Sequence, residues 1–176
     1  MSMRSLTTLT AAALAMTGAA ALAQPGLGRP ASPEEIARAD ISVLPDGTGL
    51  PEGSGSVAEG AEVYAARCLA CHGEAGAGQP MDRLTGGVGS LTSESPVKTV
   101  ASYWPYATSV FDYVRRAMPL DAPQSLTNDE VYAVTAYLLS IDGIVPEDAV
   151  LDAAALPQVA MPNRDGFIPW WPEPGR

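Results

Sequence analysis

One histidine and two cysteines are all the imidazole and thiol chemistry that 176 residues contain. That scarcity excludes several site types at once. A structural zinc site wants four ligands, usually from two separated pairs; Cys68, Cys71 and His72 make three, all in one short cluster. Ligation of an iron by two histidines of this chain is excluded, since there is no second one. Basic residues are also few. Ten Lys and Arg stand against twenty Asp and Glu, a formal net charge of −10, which argues against nucleic acid and anionic lipid as partners. Beyond the first two dozen residues no apolar run is long enough to span a membrane. No stretch alternates as a strand would, and nothing repeats.

Glycine and proline are plentiful instead, at 17 and 16. The chain opens with Arg4, an apolar run from Leu6 to Leu22 and the small-x-small triplet Ala21-Leu22-Ala23. This pattern predicts a signal peptide over 1–23, a mature start near Gln24 and export to the periplasm. The prolines and glycines cluster in 24–55 and beyond 142. The expected organisation is an extended N-terminal arm (24–55), a compact domain (56–142) and a Pro-rich C-terminal extension (143–176). A domain this small often needs a staple, such as a metal or a large buried cofactor.

Capping signals place the helices. "SPEE" at 32–35 predicts one or two turns, with Ser32 as N-cap, Pro33 first in the helix and Glu35 closing the box. "SVAE" at 56–59 opens a longer helix, with Val57, Ala61, Tyr64 and Cys68 on one face. Gly60 and Tyr64 lie one turn apart, so bare backbone beside a ring invites a close helix crossing. Gly73 ends this helix. From Gly73 to Ser102 the chain reads as loop. A second helix is expected near Ser109, with Phe111, Val114 and Met118 on one stripe and Pro119 stopping it. Thr127 and Glu130 box the start of a third, whose stripe is Val131, Val134 and Leu138. The fold class is all-α with long loops.

Cys68, Cys71 and His72 form C-x-x-C-H. A thioredoxin-type dithiol needs its first cysteine at a helix N-terminus in a β-α-β setting; here the cysteines close a helix and no strand precedes them. The spacing matches covalent haem attachment. Two cysteines three positions apart each form a thioether with one vinyl group, and the adjacent histidine binds the iron. The expected cofactor is one haem c. For the sixth ligand three methionines follow. Met81 is too near His72 to reach around the haem, and Met161 lies in the Pro-rich tail. Met118, leaving a helix at "AMPLDAP", is the expected axial ligand. His/Met ligation raises the reduction potential and closes the iron to small ligands, so the site moves electrons.

These segments together resemble a class I c-type cytochrome: the Gly60/Tyr64 helix ending in "CLACHG", a loop, "RRAMPLDAP", and a closing helix with "EVYAVTAYLL". The resemblance implies that first and last helices cross almost perpendicularly, with Gly60 and Tyr64 against Ala136-Tyr137-Leu138. The arm "RPASPEEIARADISVLPDGTGLPEGSGS" and the tail "SIDGIVPEDAVLDAAALPQVAMPNRDGF" extend the likeness. They are similar to the cytochrome subunits of molybdenum sulfur-compound dehydrogenases, SoxD-like or of sulfite dehydrogenases. The resemblance implies a molybdenum-cofactor subunit as electron donor and a further cytochrome or oxidase as acceptor, with this chain an electron-transfer subunit and not itself the enzyme. A free periplasmic shuttle, and a haem enzyme or sensor with displaceable Met118, are the alternatives. Sox subunits typically carry a second haem domain; the single C-x-x-C-H brings this chain closer to single-haem sulfite dehydrogenase subunits. In the family a "P-x-L-x-G"-like stretch supplies the carbonyl for the haem histidine. "MDRLTGG" puts Asp82 and Arg83 there, so an acceptor is expected but not assigned. Trp104, Tyr106 and Arg83, or Arg115 and Arg116, are candidate propionate partners. Trp170 and Trp171 are candidate docking anchors or self-packed tail.

Overall fold

The computed structural model describes residues 28–168, which fall into two units dividing after Ala39. The signal-peptide segment and Trp170-Trp171 lie outside the described residues. In the first unit, α1 (Pro33–Ala39) begins as its capping box requires. Glu35 N–H donates to Ser32 Oγ at 3.3 Å and Ser32 N–H to Glu35 Oε2 at 2.8 Å. Arg29 adds a two-pronged pair to the same carboxylate. None of the α1 residues is buried.

The second unit is built on two long helices. α2 (Val57–Arg67) has a complete box, Ser56 accepting from Glu59 N–H and Glu59 accepting back from Ser56. α6 (Asn128–Ile141) has the same box from Thr127 and Glu130. Each box satisfies N–H groups that a helix start leaves without partners. The helices cross at Gly60, whose absent side chain leaves room for the Ala133 backbone and Tyr137. The crossing thus reaches Tyr137 in the expected Ala136–Leu138 stretch and extends one turn earlier on α6, to Ala133. Tyr64 leans on Tyr137 with ring centroids 5.2 Å apart.

Between them lie α3 (Leu69–His72), α4 (Val100–Tyr103) and α5 (Ala107–Ala117). α5 starts two residues before Ser109. α4 corrects the reading of 73–102 as loop throughout. Its box is Thr99 with Ser102, a shorter partner than the Glu that marks such starts. A second correction is a two-stranded antiparallel sheet, β1 (Ser54–Ser56) with β2 (Val150–Asp152), Gly55 opposite Leu151. Three-residue strands are too short to show an alternation in sequence. Gly55 also packs against Ala133, where a Cβ would lie 2.6 Å from that side chain.

The buried cluster joins Tyr64, Phe111, Val131, Tyr132, Val134 and Leu139 to Val145, Leu151, Leu156, Val159 and Met161. Residues expected as a trailing extension thus help fill one core with α2, α5 and α6.

Tyr132 is fully buried, its ring 4.4 Å from that of Phe111, and its hydroxyl donates to Pro51 O at 2.9 Å. Burial pushes this phenol up to about 12. The neutral form is favoured in the folded state, so the associated stability is complete below the ordinary tyrosine value. It is lost as pH rises from about 10 to about 12. We expect denaturation midpoints to fall through that window and Tyr132→Phe to flatten the fall.

Candidate functional site

The cysteine-histidine cluster sits where α2 turns into α3. Cys68 ends α2 with its N–H on Tyr64 O at 2.9 Å, and its backbone leaves the helical region (φ −122°). Its own carbonyl then accepts from Cys71 N–H at 3.1 Å and His72 N–H at 2.9 Å. One carbonyl therefore gathers all three side-chain carriers onto a single turn. Gly73, at φ +73°, breaks the turn, and a Cβ there would meet Gly78 O at 2.5 Å. Tyr64 Oη donates to Gly73 O at 2.7 Å, and Gly78 N–H donates to His72 O at 2.7 Å. The cluster is fixed from the α2 side and from the loop side.

Neither cysteine is in a disulfide; Cys68 is half-buried against the core and Cys71 is exposed. Burial pushes the Cys68 thiol up to about 11. Cys68 thus lacks the lowered value that an attacking thiol has in a thiol-exchange pair. Among the described residues no group of three or more His, Cys, Asp or Glu is placed to hold a metal ion.

His72 Nδ1 lies 3.0 Å from Asp82 O. A carbonyl only accepts, so Nδ1 carries the proton and, in the neutral ring, Nε2 keeps its lone pair. The acceptor that the sequence left unassigned is thus Asp82, at the position where the family pattern has proline. Any residue can supply a main-chain carbonyl, which is why side-chain identity did not reveal it.

The three methionines separate clearly. Met161 is 3 % exposed and belongs to the core cluster. Met81 is held by its N–H on Cys71 O at 2.9 Å, next to the residue that bonds His72 Nδ1. Its main chain is therefore tied beside the carbonyl that faces Nδ1, and its side chain is exposed. Met118 caps α5, its N–H on Val114 O at 3.0 Å, and is extended (φ −116°, ψ 146°) as a residue before proline must be. Its side chain is half-buried and packs against the core.

Among the candidate propionate partners, Trp104 stands edge-on to Tyr113 with centroids 5.5 Å apart. The Tyr106 ring is covered by Arg164, 4.6 Å from its centroid, a cation no sequence signal pointed to. Arg116 is committed to Asp112 at 2.8 Å, and Arg115 reaches Ile41 O at 3.4 Å. Arg83 makes no side-chain hydrogen bond among the described residues.

The donor set fits a covalently held haem: two uncombined thiols on one turn, and an adjacent imidazole oriented through Nδ1. The cytochrome c family profile matches residues 57–142. A chain of the sulfane dehydrogenase SoxCD from Paracoccus pantotrophus is similar at 50% identity, with a TM-score of 0.77, over 83% of this chain and 72% of that one. The chain is a class I cytochrome c. A comparison with curated proteins finds no match.

As a cytochrome c the protein binds haem c covalently, and Cys68 and Cys71 are the cysteines at the attachment spacing. The mostly helical domain is the expected fold, with the small sheet added. No helix among the described residues is long and apolar enough to cross a membrane.

Proposed function

We propose that this cytochrome is the haem subunit of a periplasmic sulfur-compound dehydrogenase. In this reading it takes electrons one at a time from a molybdenum-cofactor partner and passes them to a further cytochrome or oxidase. The observation that carries the reading is the 50% identity to SoxCD over 83% of the chain, which reaches beyond the 57–142 span of the family profile. A generic cytochrome domain would share only that span.

His72 and Met118 would hold the iron, with Cys68 and Cys71 as the covalent tethers. When bound, the haem supplies a one-electron carrier whose potential a His/Met pair raises. The chain's residues do the rest. Asp82 O fixes the imidazole tautomer and raises its basicity as a ligand. The backbone on either side of Met118 is set by the α5 cap and by Pro119, so only its side-chain torsions remain to be ordered. Cys68 packs half-buried against the core, which gives that tether an apolar backing.

Isolation of the native complex tests the partner. Affinity-purified cytochrome is expected to bring down a stoichiometric molybdenum protein at physiological salt. Elution of the cytochrome alone, with no molybdenum in the fraction, points to a free shuttle.

A further inference from the structure

α6 ends on an acidic residue. Asp142 caps its C-terminus, and no basic residue stands in the last turn. A carboxylate at the negative end of a helix dipole is electrostatically misplaced, so a compensating interaction is to be sought. It is found in the loop after the haem-attachment turn. Gly86 N–H points between both carboxylate oxygens, at 2.9 Å from each.

Gly86 belongs to a loop whose anchors converge on one carbonyl. On one side Met81 N–H is bound to Cys71 O at 2.9 Å. On the other, Leu84 N–H is bound to Gly76 O at 2.8 Å and Thr85 Oγ1 donates to Ala75 O at 2.7 Å. Thr99 Oγ1 donates to Gly86 O at 2.6 Å, and Val100 N–H to Leu84 O at 3.0 Å. Between these two sets of anchors stands Asp82, whose carbonyl orients His72. Asp142 is the anchor that comes from α6, the helix that also crosses α2 at Gly60, so it refers the loop to the frame that carries Cys68.

We infer that Asp142 and Thr85 are positioning residues for His72: they strap the 82–86 loop so that Asp82 O stays in line with Nδ1–H. The inference rests on the reading of His72 as an iron ligand and adds to it the side chains that set the ring's orientation. Outer groups that hold a ligating histidine tune both its geometry and its donor strength.

The test uses the haem-loaded protein and three variants. Asp142→Ala and Asp142→Asn both remove the charge, but only the asparagine keeps an oxygen that accepts from Gly86. Thr85→Val removes a hydroxyl at nearly constant volume. By NMR of the reduced protein, Asp142→Ala is expected to speed hydrogen exchange of the Gly86 amide and of the His72 Nδ1 proton at least about tenfold. The same protons in Asp142→Asn are expected to stay close to wild type. A weaker bond to Nδ1–H makes the imidazole a poorer donor to oxidised iron, so Asp142→Ala should also have a higher reduction potential than Asp142→Asn. If Asp142→Ala does not fold, Thr85→Val carries the test with the same readouts and the same direction. A faster Gly86 amide with the His72 proton and the potential equal in the alanine and asparagine variants would overturn the inference. A wild-type protein with no low-spin haem spectrum and no slowly exchanging Nδ1 proton would sink the ligand reading itself, and the inference with it.

Discussion

Replacing Gly60 with valine is expected to force α2 off α6 and to remove about 3 kcal/mol of stability. Overpacking a well-filled contact costs about 1–3 kcal/mol and occasionally more, and this site belongs at the upper end. A Cβ on Gly60 would lie 1.9 Å from Ala133 O, 2.5 Å from Ala133 C and 2.8 Å from Tyr137 Cβ. The first two are backbone atoms of a capped helix and cannot rotate away. Gly60 is also buried in the middle of α2, with Val57 and Tyr64 on the same face, so the whole seam opens if it shifts. A domain holds only about 5–15 kcal/mol in total, and this loss would show directly as a lowered denaturant midpoint. Ala65→Val, exposed on α2, is the control. It should cost only the difference in helix propensity, on the order of 0.5 kcal/mol. Equal midpoints for the two variants would mean that the crossing is not the tight joint described above.

Met118→Ala is expected to change the chemistry more than the fold. The weak red sulfur-to-iron charge-transfer band of the oxidised protein should disappear and the reduction potential should fall, because the thioether favours the reduced iron. The reduced variant should bind carbon monoxide readily where the wild type does not. The side chain is only half-buried, so the stability loss should sit near 2 kcal/mol, the lower end for Met→Ala. Met81→Ala should leave band and potential in place, since the Met81 main chain is tied to Cys71 beside the carbonyl that faces Nδ1 and its side chain is exposed. An unchanged band in Met118→Ala would remove Met118 from the site. Rapid carbon monoxide binding by the untreated wild type would point instead to a haem that meets small ligands.

Much of this was legible because helix starts and haem attachment are written in short local codes. Ser32, Ser56 and Thr127 mark three helices through boxes that need only a hydroxyl and a carboxylate three residues apart, and all three form. C-x-x-C-H is equally local. What stayed hidden depends on distance along the chain or on the backbone. The β1–β2 pair joins residues almost a hundred positions apart in strands of three residues each, with Gly55 facing Leu151. The α4 start uses Ser102 where the usual signal is an acid. The orienting carbonyl of Asp82 has no side-chain signature at all. The partial burial of 143–161 was masked by the prolines and glycines of 143–176 as a whole, which suggested a tail although Leu151, Leu156, Val159 and Met161 belong to the core.

The central claim, that this cytochrome accepts electrons from a molybdenum sulfur-compound dehydrogenase, is tested most directly by rapid mixing. Oxidised cytochrome would be mixed anaerobically with the purified molybdenum partner and a sulfur substrate, sulfite among them, while the haem absorbance is followed. Full conversion to the reduced spectrum is expected, two cytochromes per two-electron oxidation, at a rate that keeps pace with substrate turnover. A cytochrome that stays oxidised while the partner turns over with an artificial acceptor would contradict the claim.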